Sequence, residues 1–158
     1  MSNPIVIILM GSSADLEHSR KIAESCKKFE LEAILRIGSA HKTAEHVLSI
    51  LRDYELDPRP KVYITVAGRS NALSGFTDGF VNAPVIACPP PGDAFGGGDI
   101  YSSLRMPSGV APALVMEPIN AALFAAKFFG QFYPAIKETV IKFQQAQAEK
   151  IIAADQQL

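Results

Sequence analysis

Pro4-Ile5-Val6-Ile7-Ile8-Leu9-Met10 is an unbroken apolar, largely β-branched run that stops at the polar turn Gly11-Ser12-Ser13-Ala14-Asp15. A strand covered by helices on both faces has this continuous pattern, whereas a strand with one wet face alternates. Beyond the turn, Leu16, Ile22, Ala23, Cys26 and Phe29 recur at roughly helical spacing, and Glu17, Arg20, Lys21, Glu24, Lys27 and Lys28 cover the other side. Residues 16–29 therefore read as a surface helix.

The same unit repeats along the chain. Ala33-Ile34-Leu35-Arg36-Ile37 is a second strand, and residues 43–54 a second helix with Val47, Leu48 and Leu51 inward, stopped by Asp57-Pro58-Arg59-Pro60. A third strand over 62–67 ends in Gly68-Arg69-Ser70-Asn71, followed by a loose helix over 72–80. A fourth strand over 84–88 is closed by Pro89-Pro90-Pro91-Gly92. Alternation of this kind predicts a three-layer, doubly wound α/β parallel sheet of flavodoxin/Rossmann-like type with right-handed crossovers, whose strand-end turns gather on one edge. Residues 93–109 are expected to be a glycine-rich loop in which Asp99 caps a short helix through Arg105. A fifth strand is expected over 111–116, and a helix over 120–132 that is apolar nearly all round and so buried. Last comes a long C-terminal helix over about 135–154, whose Ile136, Val140, Ile141, Phe143, Ile151 and Ile152 call for cover by another subunit. One domain over 1–158 is expected.

Composition narrows the function. Fifteen basic against sixteen acidic residues give a formal charge of −1, without the basic footprint of a nucleic-acid binder. Cys26 and Cys88 are too few and too far apart for a disulfide framework or a CxxC site, and read as buried thiols in a reducing compartment. The apolar start lacks a basic leader region and falls short of the ~18 residues that span a membrane. A cytoplasmic protein with no membrane partner is the expectation.

Three strand-end turns carry the chemistry. Gly11-Ser12-Ser13-Ala14-Asp15 offers backbone N–H groups and hydroxyls to a phosphate at a helix start, with Asp15 as an acceptor for ribose hydroxyls; the same residues also make an ordinary helix cap. It is neither a GxGxxG fingerprint nor a P-loop. Gly38-Ser39-Ala40-His41-Lys42-Thr43 sets an imidazole, which titrates near neutrality, beside a fixed positive charge. His18 and His46 fall in polar helical stretches and read as exposed, which leaves His41 as the general acid/base. Gly68-Arg69-Ser70-Asn71 supplies further donors, although each of its residues also fits plain turn chemistry.

Met10-Gly11-Ser12-Ser13-Ala14-Asp15, Ser39-Ala40-His41-Lys42, Ala67-Gly68-Arg69-Ser70-Asn71, Ser102-Ser103-Leu104-Arg105-Met106-Pro107-Ser108-Gly109 and Asn120-Ala121-Ala122-Leu123 occur in that order. Together they closely resemble the phosphoribosylaminoimidazole carboxylase family of purine biosynthesis. The mutase branch of that family reads Ser-Ala-His-Arg-Thr-Pro and Ala-Gly-Gly-Ala-Ala-His. Here Lys42, Ala44 and Gly68-Arg69-Ser70-Asn71 stand instead. The chain thus resembles the class II, carbon dioxide-dependent branch, familiar from the carboxylase domain of the animal bifunctional enzyme, with Ala72 where that domain has glycine.

The resemblance implies carboxylation of 5-aminoimidazole ribonucleotide (AIR) at C4 by CO2, giving 4-carboxy-5-aminoimidazole ribonucleotide (CAIR), reversibly and without ATP, metal or other cofactor. It assigns catalysis to His41 and Lys42. Substrate binding falls to Gly11, Ser12, Asp15, Ser39, Ala40, Lys42, Gly68, Arg69, Ser70 and Asn71. It further implies a homo-octamer, with a tetramer as the smaller alternative. Two other readings are an N5-carboxyaminoimidazole ribonucleotide mutase on the same fold and a nucleotide-binding module without chemistry.

Overall fold

All six residues of Ile5–Met10 (β1) are buried. The computed structural model, which describes residues 2–158, pairs them in parallel with Glu32–Ile37 (β2) on one side and Lys61–Val66 (β3) on the other. Val85–Ala87 (β4) and Ala113–Leu114 (β5) extend the sheet in the order β2-β1-β3-β4-β5, every pair parallel. The chain therefore adds β2 on one side of β1 and crosses back to add β3 on the other. Open parallel sheets take ligands at such a reversal, outside the carboxyl ends of the strands. In register, Met10 stands beside both Ile37 and Val66, so the three strands end level and their exit turns lie side by side.

Helices Leu16–Lys27 (α1), Ala44–Leu56 (α2), Ala72–Asp78 (α3), Tyr101–Leu104 (α4), Pro118–Phe129 (α5) and Pro134–Asp155 (α6) cover the sheet. Successive strand residues point to opposite faces. Val6, Ile8, Met10, Val62, Ile64 and Val66 meet Ile22 and Cys26 of α1, Ala121, Ala125 and Phe129 of α5, and Ile136 and Val140 of α6. Ile5, Ile7, Leu9 and Tyr63 meet Val47, Ile50 and Leu51 of α2 and Leu73 of α3. Full burial of each large aliphatic side chain contributes about 1.5–3 kcal/mol relative to exposure, which makes β1 the anchor of both layers.

Four details depart from the sequence expectations. The fifth strand shrinks to Ala113–Leu114, because β4 offers it only Ile86 and Ala87 as partners and Pro112 lacks a donor. α5 starts earlier, on Pro118 at its first turn, and is buried on one side only: Phe124 is 46% exposed and Phe132, beyond its end, 58%. Asp99 does not cap a helix. A left-handed run at Phe95, Gly96 and Gly97 interrupts the 3-10 segment Ala94–Ile100, and α4 starts from Ile100 with no side-chain cap. His18 is half-buried rather than exposed, its Nε2 lying 3.6 Å from the Cys88 sulfur. α6 docks through Ile136, Val140 and an edge-on contact of Phe143 with Phe29, then runs on with Ile151 and Ile152 exposed. No helix among the described residues is long and apolar enough to cross a membrane.

Candidate active site

The turn after β1 closes on itself. Gly11 N–H continues the ladder to the Val66 carbonyl at 2.8 Å, and Ser12 then caps the 3-10 turn Ser13–Asp15. Ser12 Oγ accepts from Ala14 N at 3.2 Å, while Asp15 Oδ2 accepts from Ser12 N at 3.1 Å and Ser12 Oγ at 3.2 Å. This capping box satisfies donors at the helix start and orients the Asp15 carboxylate toward the strand exit.

The turn after β2 is also local. Thr43 N donates to the Ser39 carbonyl at 2.9 Å, Ser39 N to Thr43 Oγ1 at 2.9 Å, and Lys42 N to Ser39 Oγ at 3.2 Å. His41 and Lys42 ride on the outside of this loop, exposed, with no side-chain hydrogen bond or ion pair among the described residues. Gly38 allows the loop to sit so close to α2: a Cβ there would stand 2.7 Å from Val47 Cγ2.

The turn after β3 is held from outside. Arg69 has φ +55°, a left-handed conformation that costs a non-glycine residue about 1 kcal/mol or more. Its N–H donates to Asp99 Oδ2 at 3.1 Å, and its carbonyl accepts from Ser102 Oγ at 3.0 Å. Asn71 N donates to the same Ser102 Oγ at 2.9 Å. Asn71 itself is 5% exposed; its Oδ1 accepts from Ser74 N at 3.2 Å and Ser74 Oγ at 2.9 Å, and its Nδ2 donates to Ser103 Oγ at 2.8 Å.

These turns border one cleft of about 670 Å³ at the carboxyl edge of the sheet. Of the residues singled out in the sequence, Gly11, Ser12, Asp15, Ser39, Ala40, His41, Lys42, Gly68, Arg69 and Ser70 all line it. Asn71 does not: its amide is committed to starting α3 and to Ser103. The structure adds Leu73, Pro90, Pro91, Gly92, Asp93, Ala94 and Asp99 to the wall. The turn after β4 was signalled by Pro89-Pro90-Pro91-Gly92, which closes a strand just as the other turns do. Nothing local marks Asp99.

Lys42 and Arg69, with the His41 imidazole, thus share the cleft with Asp15, Asp93 and Asp99. Such a site suits a ligand with an anionic end and hydroxyl groups. Behind the wall, burial lowers the His18 pKa, partly countered by its contact with Cys88, and burial pushes the Cys88 thiol up to about 12. That thiol stays protonated and is no nucleophile. Among the described residues no three His, Cys, Asp or Glu side chains gather as a metal-ion ligand set.

Known proteins are similar to this chain in sequence and fold. The family model described as AIR carboxylase matches residues 5–150. Phosphoribosylaminoimidazole carboxylase of Treponema denticola is 61% identical over 155 residues, spanning 98% of this chain and 98% of that protein. The Archaeoglobus fulgidus protein of the same name is 52% identical over 96% of this chain and 83% of its own length. The crystal structure of Treponema denticola PurE superposes with a TM-score of 0.97 at 60% identity, covering 99% of both chains. With its fold, its ordered turns and these relatives in agreement, the chain belongs to the AIR carboxylase family.

Proposed function

We propose that this protein carboxylates AIR at C4 with free CO2, giving CAIR in purine biosynthesis. The observation that carries the reading is the gathering of His41, Lys42, Ser12, Asp15, Ser39 and Ser70 around one cleft, in a chain 61% identical over its length to a phosphoribosylaminoimidazole carboxylase. AIR is an electron-rich, enamine-like ring. Its C4 electron pair forms the new bond to the CO2 carbon, one C=O π pair becomes the carboxylate, and C4 is left bearing both the carboxylate and a hydrogen. His41 accepts that proton, restoring the aromatic ring, and returns it in the reverse reaction. Lys42 faces the developing carboxylate or the phosphate as a point charge, and the donors of Gly68 and Ser70 polarise CO2. Ser12, Asp15 and Ser39 hold the phosphoribosyl group, whose binding energy acts remote from the reacting carbon.

The active form is a homo-octamer in the cytoplasm, or at the least a closed oligomer that covers Phe124, Ile141, Ile151 and Ile152. One preparation tests both points. AIR with dissolved CO2, without ATP, turns over in proportion to CO2, is unaffected by EDTA and avidin, and sediments as an assembly. Turnover of the N5-carboxyamino nucleotide with none from CO2 would assign the mutase reaction instead, and an active monomer would refute the assembly.

A further inference from the structure

We infer that Asp99 is a positioning residue: its carboxylate, with Ser102, clamps Arg69 in the left-handed conformation and so sets how the Ser70 backbone donor stands beside that of Gly68, the two that face the carboxyl group in the cleft. The inference rests on the carboxylase reading above. Both peptide groups flanking Arg69 are held by one segment some thirty residues further along, the N–H by Asp99 Oδ2 at 3.1 Å and the carbonyl by Ser102 Oγ at 3.0 Å, whose single hydrogen is shared with the Asp99 carbonyl at 2.8 Å. Ser102 Oγ also receives Asn71 N at 2.9 Å, so the clamp extends to the start of α3. A left-handed residue other than glycine persists only where its surroundings over-determine it, and here those surroundings are a charged acceptor on one side and a hydroxyl on the other.

The clamp has a chemical consequence. With its hydrogen directed to Asp99, the Arg69 N–H is withdrawn from the substrate. The remaining main-chain donors on this wall are those of Gly68 and Ser70; the Ser70 N–H shares a peptide plane with the Arg69 carbonyl, so the Arg69 dihedrals set its direction relative to the Gly68 N–H. Asp99 lines the cleft yet touches the loop rather than the sites proposed for the nucleotide, which lie on the other two turns. Loss of the clamp therefore falls on CO2 and not on AIR.

The test compares Asp99→Ala, Asp99→Asn and Ser102→Ala in the full chain, varying AIR and dissolved CO2 separately and following hydrogen exchange of the amides at 66–72. In Asp99→Ala, kcat/KM for CO2 falls about ten- to a hundredfold while the KM for AIR stays within about threefold. Exchange at Arg69 and Asn71 speeds up about tenfold. Asp99→Asn keeps a carbonyl acceptor and recovers to within about threefold of wild type. Equal losses for both substrates, unchanged exchange over 66–72, or an asparagine variant as impaired as the alanine one would each overturn the assignment. Ser102→Ala removes the other half of the clamp and carries the same expectations should Asp99→Ala fail to fold. If the wild-type protein does not carboxylate AIR, the functional reading fails on its own, and exchange at 66–72 alone decides whether Asp99 holds Arg69.

Discussion

The turns after β2 and β3 border the same cleft and are built by opposite means. Residues 39–43 are closed by hydrogen bonds among themselves, which leaves the side chains of His41 and Lys42 unengaged. Residues 68–71 are closed by Asp99, Ser102 and Ser103, with Arg69 bent into a conformation it would not choose alone, and what is proposed of them is the backbone itself. The acid/base role proposed for His41 needs a firm loop and a free side chain, and local closure supplies both. The donor array proposed there needs its dihedrals imposed, and that takes a second segment.

The largest effect tests the free side chain. His41→Asn lowers kcat by about a hundred- to ten-thousandfold, the span expected for removing a general acid/base, with nucleotide affinity within about tenfold. Its thermal midpoint stays at the wild-type value, because no bond of the 39–43 loop uses the imidazole. His46→Asn, on the exposed side of α2, leaves turnover nearly unchanged. Most of the wild-type rate surviving in His41→Asn, measured at saturating AIR and CO2, would sink the assignment.

The next effect tests how firmly the local loop is seated. In Gly38→Ala the new methyl would meet Val47 Cγ2 at 2.7 Å, and Val47 is fully buried against the sheet and cannot swing into solvent. Overpacking of this kind costs about 1–3 kcal/mol, read as a lower thermal midpoint, and lifts the 39–43 loop enough to reduce kcat/KM. Adding Val47→Ala makes room for the methyl, so the double variant regains part of the activity lost by Gly38→Ala. Wild-type kinetics in Gly38→Ala would mean that α2 does not seat the loop.

The same contrast explains what could be read from the sequence. β1, β2 and β3 and their exit turns follow from contiguous apolar runs ending in small polar residues, and the cleft follows from their common level in the sheet. What escaped was decided at a distance. Asn71 resembles a ligand donor because turn residues look alike whether they face a ligand or cap a helix; its Nδ2 is settled by Ser103, thirty-two residues away. Asp99 reads as a helix cap until the left-handed run at 95–97 redirects the chain toward Arg69. Residues 111–116 have the pattern of a strand, but a three-residue β4 leaves room to pair only two of them.

His18 is a further residue settled from afar, and it gives the smallest effect. Its neighbours on α1 are charged, so its pattern reads as exposed; in the fold it is half-buried, with the sulfur of Cys88, seventy residues on, 3.6 Å from its Nε2. Desolvation lowers the His18 pKa in the folded state; the Cys88 contact opposes it, Lys21 adds to the lowering, and Asp15 and Glu117 oppose it. Between that lowered value and about 6.5, the ordinary histidine value, the unfolded chain binds more protons than the folded one. Stability contributed by the neutral ring is therefore complete above about pH 6.5 and is lost as the pH falls through the folded-state pKa. The Cys88 thiol, raised to about 12, stays protonated throughout this window and adds nothing to the slope. His18→Asn should remove this part of the pH dependence, a change below about 1 kcal/mol once solvent screening of a half-exposed ring is allowed for. Urea unfolding of both proteins at pH 5 and pH 8 measures it, and turnover at pH 8 stays within about twofold because His18 does not line the cleft. A wild-type protein whose urea midpoint is the same at both pH values, or a His18→Asn protein with the full wild-type slope, would return His18 to the exposed class its neighbours suggest.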